Sequence, residues 1–198
     1  MNRMNWSGVS AVAAAVLSLA CGGAQANDEK EPKLTGYTCC NLHFEGDWIS
    51  DANWGIQAMI PAGTPIKVLD YGRYRFAVEI DGKPMRIGQE YGRNETLAQL
   101  ARKIVVDKDP KTRIAAWPAP VREAVRFGKV ITGMTHEQVI ASLGYPPAHQ
   151  TPSLDAPQWK YWHTRFASFI VVWDDKNRLK DVLADGGTRA TVMLQSRN

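Results

Sequence analysis

Three cysteines in 198 residues are too few for a disulfide framework. Long apolar runs are also scarce. Val9 to Ala20 is the longest, and it is too short to span a bilayer as an ordinary helix. Runs of one charge sign are missing as well. The 24 Lys and Arg and the 20 Asp and Glu interleave, as in Asp107-Lys108-Asp109 and Asp174-Asp175-Lys176. That pattern argues against a nucleic-acid partner. Sixteen Gly and 11 Pro are modest, which excludes a low-complexity fibre. What is present is 44% hydrophobic residues with 7 Trp, enough for one packed domain or two small ones.

The first residues read as a targeting segment. Met1 to Ser10 carry Arg3 and no acid, Val9 to Ala20 are apolar, and Ala24-Gln25-Ala26 is the small-x-small pattern of a signal-peptidase site. Cleavage there makes Asn27 the first residue and leaves a net charge of +3. A second cut competes with it. Leu17-Ser18-Leu19-Ala20-Cys21 resembles a bacterial lipobox, in which Cys21 is acylated and becomes a membrane anchor. Both cuts place the mature chain outside the cytoplasm, either soluble or attached through a lipid.

Cys39 and Cys40 are neighbours. Adjacent Cα atoms lie ~3.8 Å apart, below the ~4.4 Å lower end of usual disulfides. They are expected as small buried side chains, or with one pairing between chains.

From Ile56 to Tyr91, turn signals separate runs of period two. Pro61-Ala62-Gly63-Thr64-Pro65 precedes Ile66 and Val68, with a break at Asp70-Tyr71-Gly72. Tyr74, Phe76, Val78 and Ile80 alternate, Asp81-Gly82 makes a tight hairpin, and Met85 and Ile87 return. This stretch resembles a bacterial SH3-like small barrel. Asn94 then opens a helix whose stripe is Leu97, Leu100, Ala101, Ile104 and Val105. Asp107 to Arg113, with Pro110, reads as a connector.

The C-terminal part is more sharply patterned. Pro118 to Phe127 reads as a short helix ended by Gly128. Thr135 and Gln138 form a capping box, with Met134 and Val139 as its hydrophobic staple. Gly144 and Pro146-Pro147 stop that helix. Strands follow at Trp159 to Thr164, Phe166 to Trp173 and Leu179 to Leu183, with a turn at Asp174 to Asn177. The central strand is apolar on both faces, so cover is expected on two sides.

Gly133-Met134-Thr135-His136-Glu137-Gln138-Val139, Leu143-Gly144-Tyr145-Pro146, Trp159-Lys160-Tyr161-Trp162, Ile170-Val171-Val172-Trp173-Asp174 and Leu179 together resemble the SmpA/OmlA (BamE-like) family. The likeness covers residues 117–185. It implies a small outer-membrane lipoprotein fold, two helices packed on a three-stranded antiparallel sheet. The expected class is therefore α+β, divided into a signal peptide (1–26), a β-rich domain (27–92), a helix and connector (93–116), a BamE-like domain (117–185) and a tail (186–198).

Chemistry-bearing residues are sparse. Cys39, Cys40 and His43 suggest a thiol nucleophile with a base, but no depressed pKa or oriented base is visible. His136-Glu137 begins like a zinc-protease helix, yet Ile140 stands where the second His belongs. His149, Ser153 and Asp155 share a Pro-rich loop without a nucleophile elbow. No catalytic residue, metal or cofactor is expected. Trp48, Trp54, Trp159 and Tyr161 have two readings: packing, or a patch that binds a protein or peptidoglycan. The function expected is a non-enzymatic binding or scaffold role at the periplasmic face of the outer membrane. Its partner would be an envelope or outer-membrane protein, in membrane-protein assembly or envelope maintenance. The alternative is a secreted periplasmic inhibitor or cell-wall-binding module.

Overall fold

The computed structural model describes residues 31–195. The signal segment and Cys21 lie outside the described residues. The chain enters through β1 (Thr35–Thr38), β2 (Leu42–Phe44), β3 (Trp48–Ser50) and β4 (Ala58–Ile60). The last three are each three residues long, too short to show alternation in the sequence.

The longer strands β5 (Pro65–Tyr71), β6 (Arg75–Ile80) and β7 (Lys83–Gly88) follow the alternation. Phe76, Val78, Ile80, Met85 and Ile87 are buried. Asp81 and Gly82 have φ of 49° and 74°, the paired positive values that a two-residue hairpin turn requires. Tyr74 departs from expectation: it stands in the preceding turn, exposed. A register shift between Val68 and Asp70 lets β5 continue through the expected break.

Helix α1 (Leu97–Ile104) is capped by Thr96, two residues later than expected, through a capping box with Gln99. Val105 leaves the helix and enters β8 (Val105–Val106), which pairs with β1. The result is a six-stranded sheet in the order β3-β7-β6-β5-β1-β8, parallel at β3–β7 and antiparallel elsewhere. Strands β2 and β4 form a separate pair. Leu100, Ala101 and Ile104 of α1 join Ile66, Val68, Phe76 and Val78 in one hydrophobic core.

The connector contains a short helix that the sequence did not suggest, α2 (Lys111–Ala115). Helices α3 (Ala119–Arg126) and α4 (His136–Leu143) come next. Thr135 caps α4, its side chain accepting from the Gln138 N–H while Gln138 accepts from the Thr135 N–H. Met134 and Val139, the staple pair, are fully buried.

Strands β9 (Gln158–Trp162), β10 (Ser168–Trp173) and β11 (Leu179–Leu183) form a three-stranded antiparallel sheet, ordered β11-β10-β9. Its inner face buries Trp159, Tyr161, Phe169, Val171, Trp173, Leu179 and Val182 in a second core with α3 and α4. The outer face is only half covered: Trp162, Ile170 and Val172 are half-buried and Leu183 is exposed. Residues expected as a tail instead form helix α5 (Gly186–Val192), capped by Asp185 and contributing Val192 to the core. The fold is α+β, with two cores and Ile140 of α4 packed against both.

Candidate functional site

The two cores meet along a polar seam built around the end of α4. A helix C-terminus leaves four carbonyls without partners in the helix. Here each is answered. Ile140 O accepts from the Gly144 N–H at 2.8 Å. Ala141 O accepts from the Asn41 backbone N–H at 3.0 Å, and Ser142 O from Asn41 Nδ2 at 3.1 Å. Leu143 O accepts from Asn53 Nδ2 at 2.7 Å. The next carbonyl, Gly144 O, accepts from the Tyr161 hydroxyl at 3.1 Å.

Asn41 also donates to Val125 O at 2.7 Å and accepts from the Ala62 N–H at 3.0 Å. Asn53 accepts from the His43 backbone N–H at 2.6 Å and donates to Asn41 O at 3.1 Å. Both amides are buried and use their full donor capacity. Asn53 has φ of 45°, a left-handed value that Asn tolerates better than most residues.

Gly144 is required on two counts. Its φ is 78°, and a Cβ there would stand 2.5 Å from Asn53 Nδ2. Gly144→Ala is expected to destabilise the protein by at least about 2 kcal/mol, combining left-handed strain with a displaced amide. Urea denaturation of the two proteins measures it.

Beside this network lies a cavity of about 100 Å³, lined in part by His43, Asn53, Gly128, Tyr161 and His163. The His43 side chain is buried, and its Nδ1 has no hydrogen-bond partner. Burial pushes the His43 pKa down to about 4; the Asn53 side chain opposes this and His163 adds to it. His163 is also lowered by burial, with Asp185 opposing. Two imidazoles whose pKa values burial lowers thus line a space of mixed character, with Phe127, Leu143 and Phe169 on its apolar side. Among the described residues no group of three or more His, Cys, Asp or Glu is placed to hold a metal ion.

Cys39 and Cys40 are joined to each other by a disulfide across a trans peptide, both buried. This corrects the expectation of unpaired or interchain cysteines, which rested on the spacing of ordinary disulfides. Neither sulfur is then a free thiol for His43 to activate. His136 packs its ring against Trp173 and Trp159, with centroids 4.0 and 4.5 Å away, so it serves the second core.

The four aromatic candidates separate. Trp159 and Tyr161 are 0% and 2% exposed in the second core, which removes them as surface contacts. Trp48, on β3, is half-buried, its Nε1–H donating to Glu90 Oε2 at 3.2 Å. Trp54 is buried at the rim of the seam, beneath the Arg165 guanidinium at 5.5 Å from its ring centroid.

That rim carries what sequence reasoning missed. The Ile56 N–H donates to His163 O at 3.1 Å, tying the loop after β3 to the β9–β10 hairpin. Ile56 is 64% exposed and Phe166, next to Arg165 at the hairpin tip, is 92% exposed. Phe44, Trp54, Ile56 and Arg165 border a surface cleft of about 400 Å³. Ile56 sits in a turn, and Phe166, expected to begin a strand, stands instead in the turn before β10, so only the folded arrangement links them.

In comparison with known proteins, no family model, no curated protein and no solved structure matches the chain.

Proposed function

We propose that this chain is a non-enzymatic binding or scaffold protein of the bacterial envelope, working at the periplasmic face of the outer membrane. Its partner is an envelope or outer-membrane protein. Three sequence features support the reading: the N-terminal targeting segment, the SH3-like pattern of the first half, and the SmpA/OmlA (BamE-like) order of helices and strands in residues 117–185.

The observation that carries it is the rim of the seam. Ile56 and Phe166 are held on two loops joined by a backbone hydrogen bond, next to an Arg–Trp stack. Leaving two large apolar side chains in water adds nothing to the fold. Aromatic residues and Arg on a rigid frame are the residue types that anchor protein interfaces.

Photocrosslinking tests this in intact cells. A benzophenone amino acid at position 166 should give a discrete adduct with one envelope protein, lost when Ile56→Asp is added. Melting temperature should stay unchanged, since both side chains are exposed. Adducts no stronger than those from position 108, a charged connector site, would remove the rim as the binding face. Intact mass of the exported protein then decides the setting. An acylated Cys21 supports the anchored scaffold, and a soluble chain beginning at Asn27 favours the inhibitor or wall-binding alternative.

A further inference from the structure

A different surface lies where the chain enters the fold. The Val68 N–H donates to Leu34 O at 2.8 Å, and the Tyr71 hydroxyl donates to Pro32 O at 2.9 Å. Residues 31–34 therefore run alongside β5 towards its end, and the chain before Glu31 joins the molecule beside the β5–β6 turn.

That turn is Gly72-Arg73-Tyr74-Arg75, and its three side chains are exposed. The guanidinium groups of Arg73 and Arg93 lie 4.9 and 4.7 Å from the Tyr74 ring centroid. Arg75 lies 5.9 Å from the Trp48 ring. Leu69, two residues before Tyr71, is 39% exposed.

Of the acids nearby, Glu31 lies close enough to act on the Tyr71 hydroxyl and Asp47 close enough to act on Arg75, while most have other partners. Asp47 pairs with Arg86 at 2.6 Å, Asp70 with Lys33 at 3.7 Å, and Glu90 accepts from Trp48. Arg73, Arg75 and Arg93 form no ion pair among the described residues. Two guanidinium groups on an exposed phenol, with that of Arg75 beside them over Trp48, fit a surface of phosphates over hydrocarbon. Arginine takes phosphate through paired N–H donors, and Tyr settles at headgroup level with its ring towards the acyl chains.

We propose that the Gly72–Arg75 turn, with Arg93 beside it, docks on an anionic lipid bilayer. This goes beyond the binding of a partner protein at the seam and does not depend on it. The chain's entry point and the lipid-facing turn share one end of the molecule. A membrane attachment through the N-terminal segment would hold that end down, and the seam would remain free.

The test uses the exported chain carrying Cys21→Ser, so that no acyl group contributes. It is sedimented with phosphatidylcholine vesicles, with and without phosphatidylglycerol. Binding should require phosphatidylglycerol and fall as salt is raised. The double variant Arg73→Gln/Arg75→Gln should lower the partition coefficient about 25-fold, roughly five-fold per arginine. Lys108→Gln/Lys176→Gln removes the same charge elsewhere and should change little. Should the arginine double variant fold poorly, Arg93→Gln alone is expected to lose about five-fold.

Equal binding to vesicles lacking phosphatidylglycerol overturns the proposal. So does an equal loss in the lysine variant, or undiminished binding in the arginine variants. An Arg73- and Arg75-dependent adduct with an envelope protein, without vesicle binding, would assign the turn to a protein partner instead.

Discussion

Asn53→Asp is expected to destabilise the protein by on the order of 4 kcal/mol at neutral pH, out of proportion to a change of one atom. Aspartate matches asparagine in shape and also tolerates the positive φ of this position, so the backbone is not the cause. The new oxygen would replace the nitrogen that now donates to Leu143 O at 2.7 Å and Asn41 O at 3.1 Å. Two acceptors would lose their donor and face another acceptor. The charge would also sit at the negative end of α4, where a carboxylate is repelled. Asn53→Ala, which removes the donors without adding charge, should cost about 2 kcal/mol. Urea unfolding at pH 7 measures both, and equal effects from the two variants would show that the lost donors set the cost and the added charge contributes nothing.

The second large effect concerns pH. His43 has an ordinary pKa of 6.5 when unfolded and about 4 when folded. Between these values the unfolded chain binds the extra proton and the folded chain does not. Stability is therefore fully present above pH 6.5 and drains away as pH falls towards 4. The shift corresponds to a loss of about 3 kcal/mol across that window. His136 and His163, both lowered by burial, act in the same direction. Asp51, raised by burial, acts against them, because its folded form holds a proton longer than its unfolded form. Denaturation midpoints at pH 7.5, 5.5 and 4 should fall steeply in the wild type and much less in His43→Gln. Parallel curves for the two proteins would remove His43 as the source.

Local patterns were legible where a short stretch contains all of its own determinants. The capping box at Thr135 and Gln138, its staple Met134 and Val139, and the Asp81–Gly82 turn are each read from within six residues, and each appears as expected. Strand β10 was legible because both of its faces are apolar. What failed locally was short or borrowed. Strands β2, β3 and β4 have three residues each, and β3 owes its place to parallel pairing with β7 about 38 residues along the chain. Val105 continued a helical stripe by spacing, but its pairing with Thr38 took it into a strand. Helix α5 begins with Gly186-Gly187, poor helix formers, and depends on the Asp185 cap and the burial of Val192. The seam was the least legible part of all. Asn41 and Asn53 have no local signature, because the α3 and α4 carbonyls their side chains satisfy lie 84 to 101 residues away. Of the aromatic candidates, Trp54 lies buried at the rim of the seam and Trp159 and Tyr161 lie in the second core, since a strand's period does not say which face water reaches.

The seam also gives the direction of synthesis a physical meaning. Its donors, Asn41 and Asn53, precede α4 in the chain, so they are made before the carbonyls they satisfy. When Ala141 to Leu143 are made, the N–H groups that terminate the helix are already in the chain, and α4 finds its end only where it meets the first half. A chain presented in the reverse order would expose those carbonyls to water until the asparagines arrived.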